Sequence, residues 1–171
     1  LSHHQSIAAS GLDCKVLPSF RPDKIFNIGD RSAFMAYLKK LETAAGMSIA
    51  TIDDVKEALQ KRAEYFHQHG CRISDHGLLF IPYRFEMNAS LENEFKVFVA
   101  NENATSFSDP EAFAGAMLMH LCKIYHQLGW VQQLHLGPIR NNNSRLLKQL
   151  GADAGVDSIG DFSQAAPLSA F

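Results

Sequence analysis

The sequence has few of the features that indicate a membrane, nucleic-acid-binding or secreted protein. No apolar run reaches the roughly 20 residues that a membrane-spanning helix needs. The net charge is only −2, and the basic residues do not cluster, so neither nucleic acid nor an anionic membrane is expected as a main partner. The first residues, LSHHQS, lack the basic and apolar regions of a signal peptide and contain no methionine. We therefore expect a chain with a cut N-terminal end.

Cysteine is also scarce. Cys14, Cys71 and Cys122 are odd in number, widely spaced and without a CxxC motif. This pattern favours reduced, buried, structural thiols in a cytoplasmic protein over disulfides or a metal site. Three familiar catalytic or phosphate-binding signatures, GxxxxGK[ST], GxSxG and HExxH, are absent as well.

The chain contains enough apolar residues to form the core of one folded domain. The chain has 171 residues, of which 46% are hydrophobic, and we expect residues 1–171 to form a single domain with a substantial core. It is too short for a complete eight-fold βα barrel, which needs about 200–250 residues.

Helical spacing of apolar residues and capping signals predict several helices, separated by short strand-like runs. The predicted strands lie at 14–17, 71–74 and 131–136. The main helices are predicted from Asp30 to Ala45, from Thr51 to Gly70, from Ser90 to Glu102, from Asp109 to Gly129 and from Ser144 to Leu150. The alternation of strands with helices is typical of a parallel α/β sheet.

Polar side chains follow each predicted strand. Arg21 lies in the loop after the first, Asp75 follows the second, and His135 and Arg140 lie at the end of the third and just beyond it. Taken singly, a histidine at a strand end is more often a structural hydrogen-bonding group than a catalyst. Because the carboxyl ends of parallel strands meet at one edge, however, we expect these four side chains to share a rim where ligands bind.

The chemistry of that rim indicates an anionic substrate. Two guanidinium groups match a carboxylate, and the Asp and His are candidates for acid–base work or for orienting a metal-bound water. His76 follows Asp75 directly, and neighbouring side chains of a strand point to opposite faces, so only one of the two can face the rim.

Three segments of the sequence closely resemble the uronate isomerase (glucuronate isomerase) family of the amidohydrolase superfamily. They are VLPSFRPDKIFNI, HGCRISDHGL and GWVQQLHLGPIRNNNSRLLKQLGADAGVDSIGD. The resemblance implies a (β/α)8 barrel that interconverts D-glucuronate with D-fructuronate and D-galacturonate with D-tagaturonate. It implies that this chain is a central fragment: a partial TIM-type barrel of about three βα units with additional helices.

The same resemblance assigns roles to the rim residues. Arg21 is expected to contact the substrate carboxylate, with Arg140 as a second substrate-binding residue. Asp75 and His135 are the catalytic candidates, which would hold hydroxyls, water or the proton that moves between C2 and C1.

The resemblance also implies a divalent metal, zinc by preference, in the full-length enzyme. The family's HxH motif and its C-terminal metal-ligating aspartate are not in this chain. We therefore expect no complete metal site and no activity from the fragment alone. Its exposed strand edges would be covered by helices, by the rest of a longer chain or by a second copy in a homo-oligomer. Two other functions stay open: a metal-dependent hydrolase of the same superfamily and a non-catalytic α/β interaction module.

Overall fold

The computed structural model describes residues 1–171, which form seven α-helices, one 3-10 helix and four short strands. In chain order these are α1 (Ser2–Ala8), the 3-10 helix (Asp23–Phe26), α2 (Arg31–Ala45), α3 (Ile52–Gln68), β1 (Ile73–Leu78), α4 (Ala89–Ala100), α5 (Pro110–Gln127), β2 (Val131–Leu136), β3 (Pro138–Ile139), α6 (Ser144–Leu150), β4 (Ser158–Ile159) and α7 (Ala165–Ala170). None of the helices is both long enough and apolar enough to cross a membrane.

The long helices begin where their capping residues predict. Asp30 and Asp109 each accept a hydrogen bond from the backbone N–H three residues on, and Pro110 occupies the first position of α5. Thr51 and Asp54 form a complete capping box at the start of α3. The predicted helices are confirmed, with ends shifted by one or two residues at most sites.

Helix α5 lies at the centre of the core. Its apolar face contacts α3 and meets α2 and α4 through aromatic rings, among which Phe113 stacks on Phe95 with 5.7 Å between ring centroids. Near its C-terminal end Tyr125 packs against Trp130 and Phe20, at 5.5 and 6.2 Å between centroids. These last contacts attach the residues that begin β2, and the segment before the 3-10 helix, to the helical layer.

Strands β1 and β2 pair in parallel, in a register that runs from Ile73 opposite Val131 to Leu78 opposite Leu136. Phe20 adds one parallel bridge on the other side of β1: its N–H donates to Ile73 O and its O accepts from Asp75 N, both at 3.1 Å. Strands β3 and β4 form a separate antiparallel pair. The structure is therefore an α/β fold with parallel strands, as the alternation of elements predicts.

Two strand predictions need correction. Residues 14–17 form no strand, because none of their backbone groups pairs with another strand, and Val16 and Leu17 are exposed. The pairing begins instead at Phe20, beyond the chain-stiffening Pro18. The strand predicted at 71–74 is displaced to Ile73–Leu78, so Asp75 and His76 lie within β1 and not after it. The strand at 131–136 is confirmed.

The cysteine prediction is right for one residue and wrong for another. Cys71 is buried, Cys122 is half-buried and Cys14 is exposed, and all three are free thiols. Cys14 lies in the run 14–17, which pairs with no strand, and its thiol is therefore not covered by a sheet.

Candidate active site

The parallel register of β1 and β2 brings three of the four predicted site residues into contact. Asp75 Oδ2 lies 3.2 Å from Arg21 Nη1. Asp75 Oδ1 lies 2.8 Å from His135 Nδ1, which is within ion-pair distance. The contact does not have hydrogen-bond geometry, and this buried oxygen has no hydrogen-bond partner. Asp75 thus bridges a cation that follows the Phe20 segment and an imidazole on β2.

Arg140 belongs to a second polar pair, which lies beside the antiparallel strands β3 and β4. Its Nη1 lies 2.6 Å from Asp157 Oδ2, and Asp157 Oδ1 accepts from the backbone N–H of Asn141 at 2.9 Å. The hydrogen bonds from Asn141 N–H and from Arg140 hold the pKa of Asp157 below its usual value. Arg140 is therefore held by Asp157, next to strands β3 and β4, and does not contact Asp75.

One open cleft joins the two groups. It encloses about 580 Å³, and its lining includes Arg21, His135, Arg140 and Asp157 beside the apolar Leu134 and Leu136. Asp75 lies just behind this lining, in contact with two of its residues. All four predicted site residues therefore lie on the same side of the molecule.

Asp23 is the residue at this site that sequence reasoning missed. Its Oδ2 accepts from Arg21 Nε at 2.8 Å and from the Gly77 N–H at 2.9 Å, while its Oδ1 lies 2.7 Å from His76 Nδ1. Burial alone would raise the pKa of Asp23, but the hydrogen bonds from His76, Arg21 and Gly77 outweigh it and the pKa lies below its ordinary value. The close spacing of Arg21 and Asp23 was the available signal, since side chains two residues apart in a turn readily meet.

His76 points away from the rim, as the alternation of a strand requires. It is fully buried, with Nε2 3.1 Å from the hydroxyl of Tyr125 on α5. Of the adjacent pair, Asp75 alone faces the cleft side.

The residues described here do not make a metal site. No group of three or more His, Cys, Asp or Glu side chains in residues 1–171 is arranged to hold an ion. Asp75 and His135 are ligand types that zinc accepts, but a zinc site needs at least three protein ligands, and Asp75 already pairs with Arg21. No chemical step through a metal can be derived from this chain.

The arrangement can bind an anion and move a proton. Arg21 and Arg140 present charged N–H donors, and the side chain of His135 is 48% exposed, so a bound molecule can reach its ring. Asp75 is close enough to stabilise that ring when it carries a proton, as a carboxylate does beside a catalytic imidazole.

Parallel strands whose polar residues gather at one open cleft define an α/β protein with a candidate ligand site beside these strands. Comparison with known proteins gives the family. The model of the glucuronate isomerase family matches residues 1–171, and the chain belongs to that family.

Curated relatives are similar over almost the whole chain. It is 45% identical over 157 residues to the uronate isomerase of Caldanaerobacter subterraneus subsp. tengcongensis, covering 92% of this chain and 33% of that protein. It is 44% identical over 170 residues to the uronate isomerase of Yersinia enterocolitica, covering 99% and 36%. The chain thus spans about a third of the length of the curated relatives it matches.

Two solved structures share the fold. A uronate isomerase from Thermotoga maritima superposes with a TM-score of 0.84 at 29% identity, over 100% of this chain and 38% of that one. A glucuronate isomerase from Caulobacter crescentus gives a TM-score of 0.79 at 26% identity, over 99% and 35%.

Proposed function

We propose that this chain forms part of a hexuronate isomerase, which interconverts D-glucuronate with D-fructuronate and D-galacturonate with D-tagaturonate. The observation that carries the proposal is family membership over residues 1–171, together with a cleft that contains two arginines, a histidine and its aspartate partner. On this proposal the chain is one domain-sized piece of a (β/α)8 barrel, which the parallel order of Phe20, β1 and β2 supports.

Arg21 and Arg140 are the proposed substrate-binding residues. A guanidinium group suits the planar carboxylate of a hexuronate, since two parallel N–H···O bonds can form. Each arginine already has an aspartate partner, at 2.8 Å for Arg21 and Asp23 and 2.6 Å for Arg140 and Asp157. These pairs fix the guanidinium groups without using all five N–H donors, and the remaining donors are those a substrate would take.

Asp75 and His135 are the proposed catalytic residues. Isomerisation moves a proton between C2 and C1 through an enediolate. His135 is accessible from the cleft and can hold or transfer that proton, while the Asp75 carboxylate, 2.8 Å from Nδ1, stabilises the protonated ring. Negative charge develops on the former carbonyl oxygen, and a free guanidinium N–H of the arginines is a donor that this oxygen can accept. The divalent metal expected for the full-length enzyme would be held by residues outside 1–171.

A coupled assay on the full-length protein that contains this chain tests the proposal. We expect ketose formation from D-glucuronate in the presence of zinc or manganese, detected by a reductase that consumes the ketose. Absence of product from both D-glucuronate and D-galacturonate would reject the isomerase. Hydrolysis of an ester or amide substrate by the same preparation would favour the hydrolase. No turnover of any of these substrates would leave the interaction module as the surviving function.

A further inference from the structure

Arg21 is held from three sides in a single orientation. Its Nε donates to Asp23 Oδ2 at 2.8 Å, and its Nη1 lies 3.2 Å from Asp75 Oδ2. Its Nη2 lies over the Cα of Gly77, where a Cβ on any other residue would overlap it. An exposed arginine normally samples many rotamers, and restraint of this kind lowers the entropy that a ligand must otherwise remove on binding.

Asp23 is itself held from behind by a buried chain of hydrogen bonds. The Gly77 N–H and His76 Nδ1–H donate to its two carboxylate oxygens at 2.9 and 2.7 Å. His76 is fully buried, and its Nε2 lies 3.1 Å from the Tyr125 hydroxyl. Burial raises the pKa of Tyr125, so the phenol keeps its proton and can donate it to Nε2.

The chain of contacts therefore runs from the core to the cleft: Tyr125, His76, Asp23 and then Arg21. The members come from α5, β1 and the 3-10 helix, so three elements fix one carboxylate. Residues that hydrogen-bond to a ligand-contacting group commonly orient that group. Their loss weakens ligand binding although they do not touch the ligand.

We propose that Asp23 is a positioning residue, locked by His76 and Gly77, that fixes the Arg21 guanidinium for the substrate carboxylate. The inference rests on the proposed function, because it assigns a task to Arg21 in that site. A positioning role predicts that loss of Asp23 weakens substrate binding more than it slows the chemical step. A merely structural role does not predict this difference.

Steady-state kinetics of the full-length protein with D-glucuronate test it, with Asp23→Asn as the variant. The amide keeps the shape but weakens acceptance from Arg21 and His76. We expect KM to rise about ten-fold or more, as for the loss of a charge-assisted hydrogen bond, with kcat within about two-fold. Asp53→Asn is the matched control: Asp53 is 87% exposed and pairs only with Lys56 on the surface, so its KM should not change.

A pair of substitutions at His76 separates positioning from packing. His76→Asn and His76→Leu both remove the buried ring, but the Asn side chain keeps an N–H donor near the place of Nδ1. We expect KM to stay closer to the wild-type value in the Asn variant than in the Leu variant, with both melting temperatures followed by circular dichroism. If Asp23→Asn fails to fold, the KM values of these two His76 variants test whether the buried hydrogen bonds position Arg21.

The outcomes are distinguishable. Wild-type protein without isomerase activity removes the proposed function, and this inference with it. Active wild type with an unchanged KM in Asp23→Asn overturns the inference alone, and so does a fall in kcat at constant KM. Equal KM values for folded His76→Asn and His76→Leu also overturn the role of His76.

Discussion

Arg21 is the residue whose substitution should affect the site most directly. Arg21→Met in the full-length protein removes the charge and the N–H donors but keeps an unbranched side chain of similar length. We expect KM for D-glucuronate to rise about ten- to hundred-fold, the range for hydrogen bonds to a charged group. The fold should persist, since the Arg21 side chain is 44% exposed. Arg145→Met on the exposed face of α6 is the control. Unfolding of Arg21→Met would show that the role of Arg21 is structural.

The three cysteines should differ sharply in reactivity. Burial raises the pKa of Cys122 to about 11, partly offset by a hydrogen bond with Gln132, and burial also raises the pKa of Cys71. Cys14 is exposed. Because the thiolate is the reactive form, we expect one fast thiol in a colorimetric disulfide-exchange assay at pH 8. The Cys14→Ser variant should lose the fast phase and Cys122→Ser should keep it. Three equal rates would contradict the burial of Cys71.

The sequence allowed some site residues to be predicted and concealed others. Arg21, Asp75, His135 and Arg140 could be proposed because each follows or ends a recognisable strand-like run. The role of Asp23 could not, because its partner His76 is 53 residues away and the contact depends on how the 3-10 helix packs on β1. That Arg140 pairs with Asp157 and not with Asp75 also had to come from the structure, because it depends on the pairing of β3 with β4.

Among the elements, α3 depends most clearly on a local signal. The Thr51 hydroxyl accepts from Asp54 N–H at 3.1 Å, and Asp54 Oδ2 accepts from Thr51 N–H at 2.8 Å. Thr51→Ala leaves one N–H of the first turn without its acceptor and should lower the free energy of unfolding by about 1 kcal/mol. Urea unfolding of the 171-residue chain measures this change. Thr43→Ala, the same substitution on the exposed face of α2, should have little effect or stabilise slightly. Equal losses in the two variants would mean that the capping box does not stabilise α3.

Whether an element carries its own local signals explains which elements could be predicted from the sequence. A helix of 15 or 17 residues, such as α2 or α3, carries its cap, its apolar stripe and its stop signal within its own sequence. A short strand has no such independence, because its hydrogen bonds and its burial both come from elsewhere. Residues 14–17 are apolar enough to predict a strand and form none, whereas Phe20 pairs with β1 through a single bridge that no local pattern indicates.

At the scale of the whole molecule, the cleft is open and lies beside a strand that has only one neighbour in its sheet. Strand β2 pairs with β1 alone among the strands of residues 1–171, and the side chains of Val131, Gln133 and His135 are exposed on it. The parallel pair therefore presents a free backbone edge, which proteins usually cover with another strand, a helix or a partner. The relatives have about two-thirds of their length beyond the matched region, which is ample chain to supply the missing side of the cleft.

This geometry predicts a difference between the isolated chain and the full-length protein. On the proposed function, the 171-residue chain contributes Arg21, Asp75, His135 and Arg140, but its open cleft would leave a bound sugar exposed to water, which weakens charge stabilisation and proton transfer. We expect no detectable ketose from D-glucuronate with the isolated chain, at protein concentrations and metal supplements that give full turnover with the full-length protein. Circular dichroism and size-exclusion chromatography on the same sample establish that the chain is folded and whether it associates. Ketose formation by a folded monomer of the isolated chain would contradict this expectation and would mean that residues 1–171 suffice for catalysis. If activity appears only in a self-associated form, a second copy supplies the missing side.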